Sequence, residues 1–536
     1  MRVLICGAGG FIGSHLVRAL KKDGHWVRGA DLHLPEYDES PADEFRVVDL
    51  RDYNNCLAVT KEVDYVYNLA ADMGGIGYIT AHLADIAHNN TLINVNMLEA
   101  ARVNRVERYL FSSSACVYAQ SKQQTADVVP LKEEDAYPAD PEPGYGWEKL
   151  YAEQLCKYYQ HDYGMNIKVA RFHNVYGQLG TYDGGREKSP AALCRKVALA
   201  EDGDSIEIWG DGKQTRSYMH VADCCDGLMR LMGSEYKEPI NLGRDEWVTV
   251  NGLVDKIAGI AGKKIKKQHD TSKPQGVRGR NSDNTLLKKV LNWEPEINLE
   301  RGLRYTYPWI EAQIRHQKFY SQFMNPDELV FDIGANIGNK SKVFLNLGCR
   351  VIAVEPQSYC IEYLTTRFSH EPGRIAVISK AVANNNDSVI MALGTHRGVS
   401  TACPGWLQAV KGTKRFVGVD WVGTQHVQTT TLDQLIEVYG VPVFIKIDVE
   451  GFESKVIQGL SQPVKGMSFE FHPEYLADTK KGIEHLTTLG EVEFNYSLEE
   501  SMTMCPEWLS AESVVSALDE FVGNNTIYGD VYARFV

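Results

Sequence analysis

Val3-Leu4-Ile5-Cys6-Gly7-Ala8-Gly9-Gly10-Phe11-Ile12-Gly13 reads as an apolar strand, a glycine-rich turn and the start of a helix. Gly7, Gly10 and Gly13 are spaced as GxxGxxG. Glycine allows the tight turn and lets the backbone approach a pyrophosphate, whose charge then sits on the helix N-terminus. Asp31 lies 18 residues beyond Gly13, at the end of the apolar stretch Val27-Arg28-Gly29-Ala30. A carboxylate at the tip of the second strand is placed to accept from ribose hydroxyls. No arginine follows closely, so NAD is expected rather than NADP. On this stretch alone, a glycine turn without a ligand remains an alternative.

The same grammar recurs at 329–347 (LVFDIGANIGNKSKVFLNL), followed by Val351-Ile352-Ala353-Val354-Glu355. Two independent starts of a nucleotide-binding sheet predict an α/β chain with two Rossmann-like domains in tandem. The polar stretch 311–328 separates them, giving expected domains at 1–314 and 318–536.

Bulk properties narrow the function classes. The 536 residues suffice for at least two globular domains. A net charge of −14 argues against a nucleic-acid partner, which needs a basic face. The 11 scattered cysteines contain no CxxC pair and fit reduced thiols. Met1-Arg2 leads straight into the first strand without a leader pattern, and no run of 18 apolar residues appears. A cytoplasmic enzyme without a membrane partner is expected.

Chemistry enters with Phe111-Ser112-Ser113-Ser114-Ala115-Cys116-Val117-Tyr118, a strand ending in small polar residues, and Tyr145-Gly146-Trp147-Glu148-Lys149. YxxxK puts Tyr145 and Lys149 on one helix face. The lysine cation would favour the tyrosinate, making Tyr145 a base near neutral pH, with Ser114 on the same substrate oxygen. The plain reading of Cys116 is a small buried hydrophobe. Lys263, Lys264, Lys266 and Lys267 read as a solvated face.

Residues 68–75 (NLAADMGG), 113–116 (SSAC), 171–177 (RFHNVYG), 184–190 (GGREKSP), 209–217 (WGDGKQTRS) and 276–284 (GVRGRNSDN) carry a family resemblance. The first 314 residues resemble the extended short-chain dehydrogenase/reductases and, among them, the GDP-mannose 3,5-epimerases. The resemblance implies a substrate lobe and a bound NAD held by Gly7, Gly10, Phe11, Ile12, Gly13, Asp31, Asp49, Ala70 and Lys149. It implies that Tyr145 takes the C4 hydroxyl proton, and that the 4-keto sugar then exchanges protons at C3 and C5 with Cys116 and Lys188. Gly74, Ser114, Asn174, Glu187, Lys188, Gln214, Arg278 and Arg280 are the implied contacts to a GDP-sugar, the two arginines suiting its diphosphate. Trp147 and His173 lie among the site motifs as possible modifiers of the sugar pocket. Relatives of this kind are dimers, so a homodimer is expected.

The second domain resembles the FkbM methyltransferases, on DIGANIG (332–338), AVEP (353–356), TTLD (430–433) and IKIDVEGFE (445–453). The resemblance implies a class I methyltransferase fold and an S-adenosylmethionine site made by Asp332, Gly334, Asn336, Gly338, Glu355 and Asp448. A base must take the acceptor's proton. The candidates are His472, Asp448 and Glu450, with Glu470 near the same edge. Asp448, Glu450 and His472 are alternatively ligands for a divalent metal. The acid–base reading is preferred and no metal is expected. Together the domains point to a bifunctional enzyme that epimerises a GDP-hexose and O-methylates its sugar, feeding polysaccharide synthesis. The alternatives are another GDP-sugar such as a GDP-heptose, a separate methyl acceptor, or one domain acting only as a nucleotide-binding module.

Overall fold

The structure, a computed structural model, describes residues 1–127, 129–273 and 276–536. The chain divides into two compact units, Met1–Ile314 and Arg315–Val536.

The first unit is built on a seven-stranded sheet. Its spatial order is Pro239–Leu242, Ile167–Phe172, Arg108–Ser114, Tyr65–Asn68, Arg2–Cys6, Trp26–Asp31 and Glu44–Val47. Every pairing in it is parallel. Parallel strands are covered on both faces, which is why the opening strand is apolar throughout rather than alternating. Val3 and Ile5 join the core that includes Leu16 and Val17 of the helix Phe11–Lys22. Leu4 and Cys6 join the opposite core with Met97 of the helix Leu83–Val103. The chain reverses its order of strands beside Arg2–Cys6, so the glycine turn opens at the crevice where such sheets hold ligands.

The helix Tyr145–Tyr163 follows Gly144 (φ +67°) and ends on Gly164 in the left-handed region (φ +67°), which glycine adopts without strain. Its buried face carries Tyr145, Glu148, Lys149, Ala152, Glu153 and Cys156, at three- and four-residue spacing. A separate small core gathers Leu193 and Val197 of the helix Ser189–Leu199, Leu253 and Ile257 of Val250–Ala261, and Leu303 and Ile310 of Leu299–Tyr320.

The second unit has its own seven-stranded sheet, ordered Ile375–Ile378, Arg350–Val354, Leu329–Ile333, Phe444–Ile447, Gly466–Phe471, Gly529–Phe535 and Val492–Leu498. The first five strands are parallel, and Gly529–Phe535 runs antiparallel to both its neighbours. This is the class I methyltransferase arrangement, so both domains are Rossmann-like as the two glycine turns predict. Among the described residues no helix is long and apolar enough to cross a membrane.

Candidate active sites

The first glycine turn is shaped by close approaches. A Cβ at Gly13 would stand 1.9 Å from the Gly7 carbonyl oxygen, and one at Gly7 (φ +78°) 2.9 Å from the Ala70 nitrogen. The residue missed by the GxxGxxG reading is Gly9, where a Cβ would stand 2.0 Å from the His33 carbonyl oxygen. Its amide donates to Asp31 Oδ2 at 2.9 Å, fixing the carboxylate at the strand tip, and burial raises the Asp31 pKa. The Phe11 ring lies under Gly177 and Gly180, and Ile12 packs on the adjoining core. Asp49 is less open than expected, because Arg51 grips both its oxygens.

Tyr145 is 7% exposed, and Ser114 hydrogen-bonds its side chain. The Lys149 Nζ lies 5.5 Å from the Tyr145 ring centre, as the helical spacing predicts. Burial, reinforced by the charge of Glu148, pushes the Tyr145 phenol well above its ordinary value, while the hydrogen bond from Ser114 acts in the opposite sense. Burial also lowers Lys149, against the opposing pull of Glu148. Glu148, which the motif alone does not single out, lies 3.8 Å from Lys149 Nζ and accepts from Asn90 at 2.9 Å and Asn94 at 3.1 Å. Trp147 is exposed on the other helix face, and His173 is buried against Asn241 at 2.9 Å.

Cys116 is not a plain buried hydrophobe. Its Sγ is 3.6 Å from an Arg280 guanidinium nitrogen, and Arg280 also donates to Gln123 at 2.6 Å and to Glu142. The thiol is pushed up to about 11, by burial first and by Glu142 second, with Arg280 opposing. Arg280 holds Glu142 below the usual carboxylate range despite burial. Burial lowers Lys188, and the charge of Cys116 acts on it in the opposite sense, so the two predicted proton carriers feel each other.

Lys188 caps the helix Ser189–Leu199, and its loop is tied to 74–75. The Gly75 amide donates to Arg186 O at 3.0 Å, and a Cβ on Gly75 would stand 2.5 Å from Glu187 O. Gly74 packs as closely on Tyr78. Two implied substrate contacts are held by the protein itself. Glu187 accepts from Gly185 at 2.7 Å and Arg195 at 3.3 Å, and Arg278 forms a two-pronged pair with Asp211 at 2.7 and 2.8 Å. Asn174 (φ +43°) donates to Ser217 O, while Gln214 donates to Trp209 O and keeps a buried Oε1 without a partner among the described residues.

In the second unit, Gly334 (φ +80°) leaves no room for a side chain: a Cβ would stand 1.8 Å from Asp448 O. Gly338 (φ +85°) is equally confined, by Phe368. Glu355 accepts from the amides of Asn336 and Gln357, both at 2.9 Å, and Asp332 accepts from Ser341. Asp448 pairs with Lys446 at 2.6 Å, which holds its carboxyl below its ordinary value despite burial, and it stands outside the alternative ligand group weighed with Glu450 and His472. The group that does form is Glu450, Glu470 and His472. His472 Nδ1 accepts from Arg415, which also holds Glu474 at 2.7 Å.

The comparisons agree with this geometry. Residues 3–243 match the family model of the NAD-dependent epimerases/dehydratases, and residues 332–496 match that of the methyltransferase FkbM domain. The GDP-mannose 3,5-epimerase of Arabidopsis thaliana is 48% identical over 320 residues, covering 59% of this chain and 84% of that protein. The GDP-L-fucose synthase of Escherichia coli K12 is 30% identical over 330 residues, covering 59% and 98%. The structure of the UDP-glucose 4-epimerase of Thermotoga maritima, with UDP-glucose, is similar at a TM-score of 0.54 and 26% identity, over 59% of this chain and 100% of that one. The chain thus belongs to the NAD-dependent epimerase/dehydratase family through its first unit, and carries an FkbM methyltransferase domain fused behind it.

Proposed function

We propose that the first unit epimerises GDP-mannose, or a closely related GDP-hexose, at C3 and C5, and that the second O-methylates the sugar of the product. One observation carries the first half: Cys116 packs in one cluster with Tyr145, the tyrosine of the Tyr145–Lys149 pair, and its Sγ lies 3.6 Å from the buried Arg280 guanidinium. The 48% identity to a GDP-mannose 3,5-epimerase supports the substrate.

The cramped glycines and Asp31 fit a dinucleotide. A bound NAD would supply the hydride acceptor and donor for C4. The chain's own residues do the rest. Tyr145, with Ser114 beside it, handles the C4 hydroxyl proton. Cys116 and Lys188 remove and return protons on opposite ring faces, because one group cannot serve both. Arg280, held in a buried net of Gln123, Glu142 and Cys116, adds positive charge where the anionic sugar intermediate forms.

Gly334, Gly338 and Glu355 fit the amino-acid and ribose parts of S-adenosylmethionine, which supplies the methyl group when bound. Asp332 and Asp448 hold that edge in place. Methyl transfer is an in-line displacement, so fixing the acceptor hydroxyl supplies much of the rate. The reading places the enzyme in the cytoplasm as a homodimer that supplies a methylated sugar for polysaccharide synthesis.

The test follows the sugar nucleotide by chromatography and NMR for the isomers and by mass spectrometry for the methyl group. GDP-mannose should be converted to isomers of unchanged mass by the protein alone, and should gain one methyl group only when the donor is added. Isomers without a methyl group would send the second unit to a separate acceptor. No isomers would remove GDP-mannose as substrate.

A further inference from the structure

Glu450, Glu470 and His472 meet at the carboxyl edge of the second sheet. His472 Nε2 lies 3.2 Å from Glu470 Oε2 and 3.7 Å from Glu450 Oε2, and one ligand atom of each lies within 4.8 Å of the others. These three atoms are buried and have no hydrogen-bond partner among the described residues. His472 is only 3% exposed, so its ring nitrogen is a buried polar atom aimed into the cluster. Two carboxylates facing each other out of water are compensated by a proton or by a bound cation. Neighbouring cations are directed elsewhere: Arg415 onto Glu474 and His472 Nδ1, Lys446 onto Asp448.

The backbone is shaped to bring Glu450 there. Glu450 takes φ +54°, which side chains rarely adopt, and Gly451 follows at φ +86°. A Cβ on Gly451 would stand 2.2 Å from Trp406 Cγ, and Thr401 Oγ1 anchors Glu450 O at 2.6 Å. Such a conformation persists where its surroundings enforce it, and it is often found at ligand sites.

We propose that Glu450, Glu470 and His472 bind one divalent first-row metal ion of the Mn²⁺ type, through one oxygen of each glutamate and His472 Nε2. Two carboxylates neutralise the ion, and the mixed oxygen–nitrogen set suits Mn²⁺, Fe²⁺ or Zn²⁺. Ligand atoms at about 2.1 Å from a shared ion stand about 3 Å apart, close to the separations the protein already holds. Coordination fixes the imidazole tautomer. Arg415 can only donate, so it now places the ring proton on Nε2. On metal binding that proton moves to Nδ1, and Arg415 turns wholly to Glu474. The buried Glu474 Oε1, without a partner among the described residues, is then available to accept from Nδ1–H, the support that metal-bound histidines use.

The site is two residues from Asp448, whose carbonyl packs on Gly334. Resting on the methyltransferase reading, the ion would hold the acceptor hydroxyl oxygen and ease loss of its proton.

The test titrates Mn²⁺ into chelator-stripped full-length protein, read by electron paramagnetic resonance without donor or acceptor. One ion per chain is expected, with Glu470→Gln and Glu450→Gln each weakening binding at least about tenfold and Glu437→Gln leaving it unchanged. Thermal melts guard against misfolding: Mn²⁺ should raise the melting temperature of the unsubstituted protein and not that of a folded Glu470→Gln variant. No bound Mn²⁺, or binding indifferent to both substitutions, would overturn the proposal. Mn²⁺ bound through these residues, together with no methyl gained by the GDP-sugar in the separate assay above, would uphold the metal site and remove only the reading that the second unit methylates that sugar.

Discussion

Arg280 and Glu450 lie at two sheet edges of the same chain, and their surroundings differ in kind. Around Arg280 buried opposite charges meet: Glu142 lies on the guanidinium with the Cys116 thiol 3.6 Å away, and Glu153 is clasped by Arg171 at 2.7 and 2.9 Å. Around Glu450 the like charges meet, and the arginine within reach holds Glu474 instead. The first region holds its acid against a guanidinium of the same chain. The second, on the proposal above, is completed by a bound cation. A buried pair that closes on itself serves to place a proton carrier, whereas acids left facing each other mark where something else must bind.

The contrast can be broken most sharply at Cys116. Cys116→Ala should lower epimerisation by about 10²- to 10⁴-fold, the range of a lost acid–base group. An unchanged turnover would return Cys116 to a packing role. Next comes the pairing itself. Arg280→Met leaves Glu142 buried and alone, and should destabilise the first unit by about 3–5 kcal/mol in denaturant unfolding, with Glu142→Gln added in the same chain restoring part of it. If Arg280→Met unfolds like the parent, the net around Cys116 is not closed.

Smaller effects sharpen the comparison. Glu142 raises the thiol's pKa, so Glu142→Gln should lower it, enlarge the thiolate fraction and speed alkylation of Cys116 at pH 8 by up to about tenfold. Glu142 itself is held below its ordinary 4.5. Its contribution to stability is therefore fully present above that value and disappears as pH falls through the folded-state value. The acid limb of a stability curve should flatten in Glu142→Gln. Smallest of all is Trp147→Ala: a side chain 53% exposed should change stability by no more than about 0.5 kcal/mol and leave sugar selectivity untouched.

Much of the fold was legible because it is local. Gly7, Gly10, Gly13 and Asp31 lie within one strand–turn–helix–strand unit, and DIGANIG repeats it. Cys116, Tyr145, Lys149 and Lys188 were legible as motif residues. Their partners were not, because they arrive through the fold: Arg280 is 164 residues from Cys116 and 138 from Glu142. Arg278 and Arg280 looked equivalent in a glycine-rich segment. In the structure Arg278 precedes the two-residue strand Gly279–Arg280 and pairs outward with Asp211, whereas Arg280, inside the strand, is buried. In the second unit, Asp448 and Glu450 would share a face only if the strand ran on through them. The strand ends at Ile447 and Glu450 turns to positive φ, parting it from Asp448 and meeting Glu470 instead.

The central claim, two activities on one GDP-sugar, is tested most directly by incubating the full chain with GDP-mannose in deuterated water, with and without S-adenosylmethionine, and reading the sugar by NMR. The account predicts deuterium at C3 and C5 in both samples, and a methyl group on the sugar only where the donor is present. A sugar nucleotide recovered without deuterium at either carbon would contradict it.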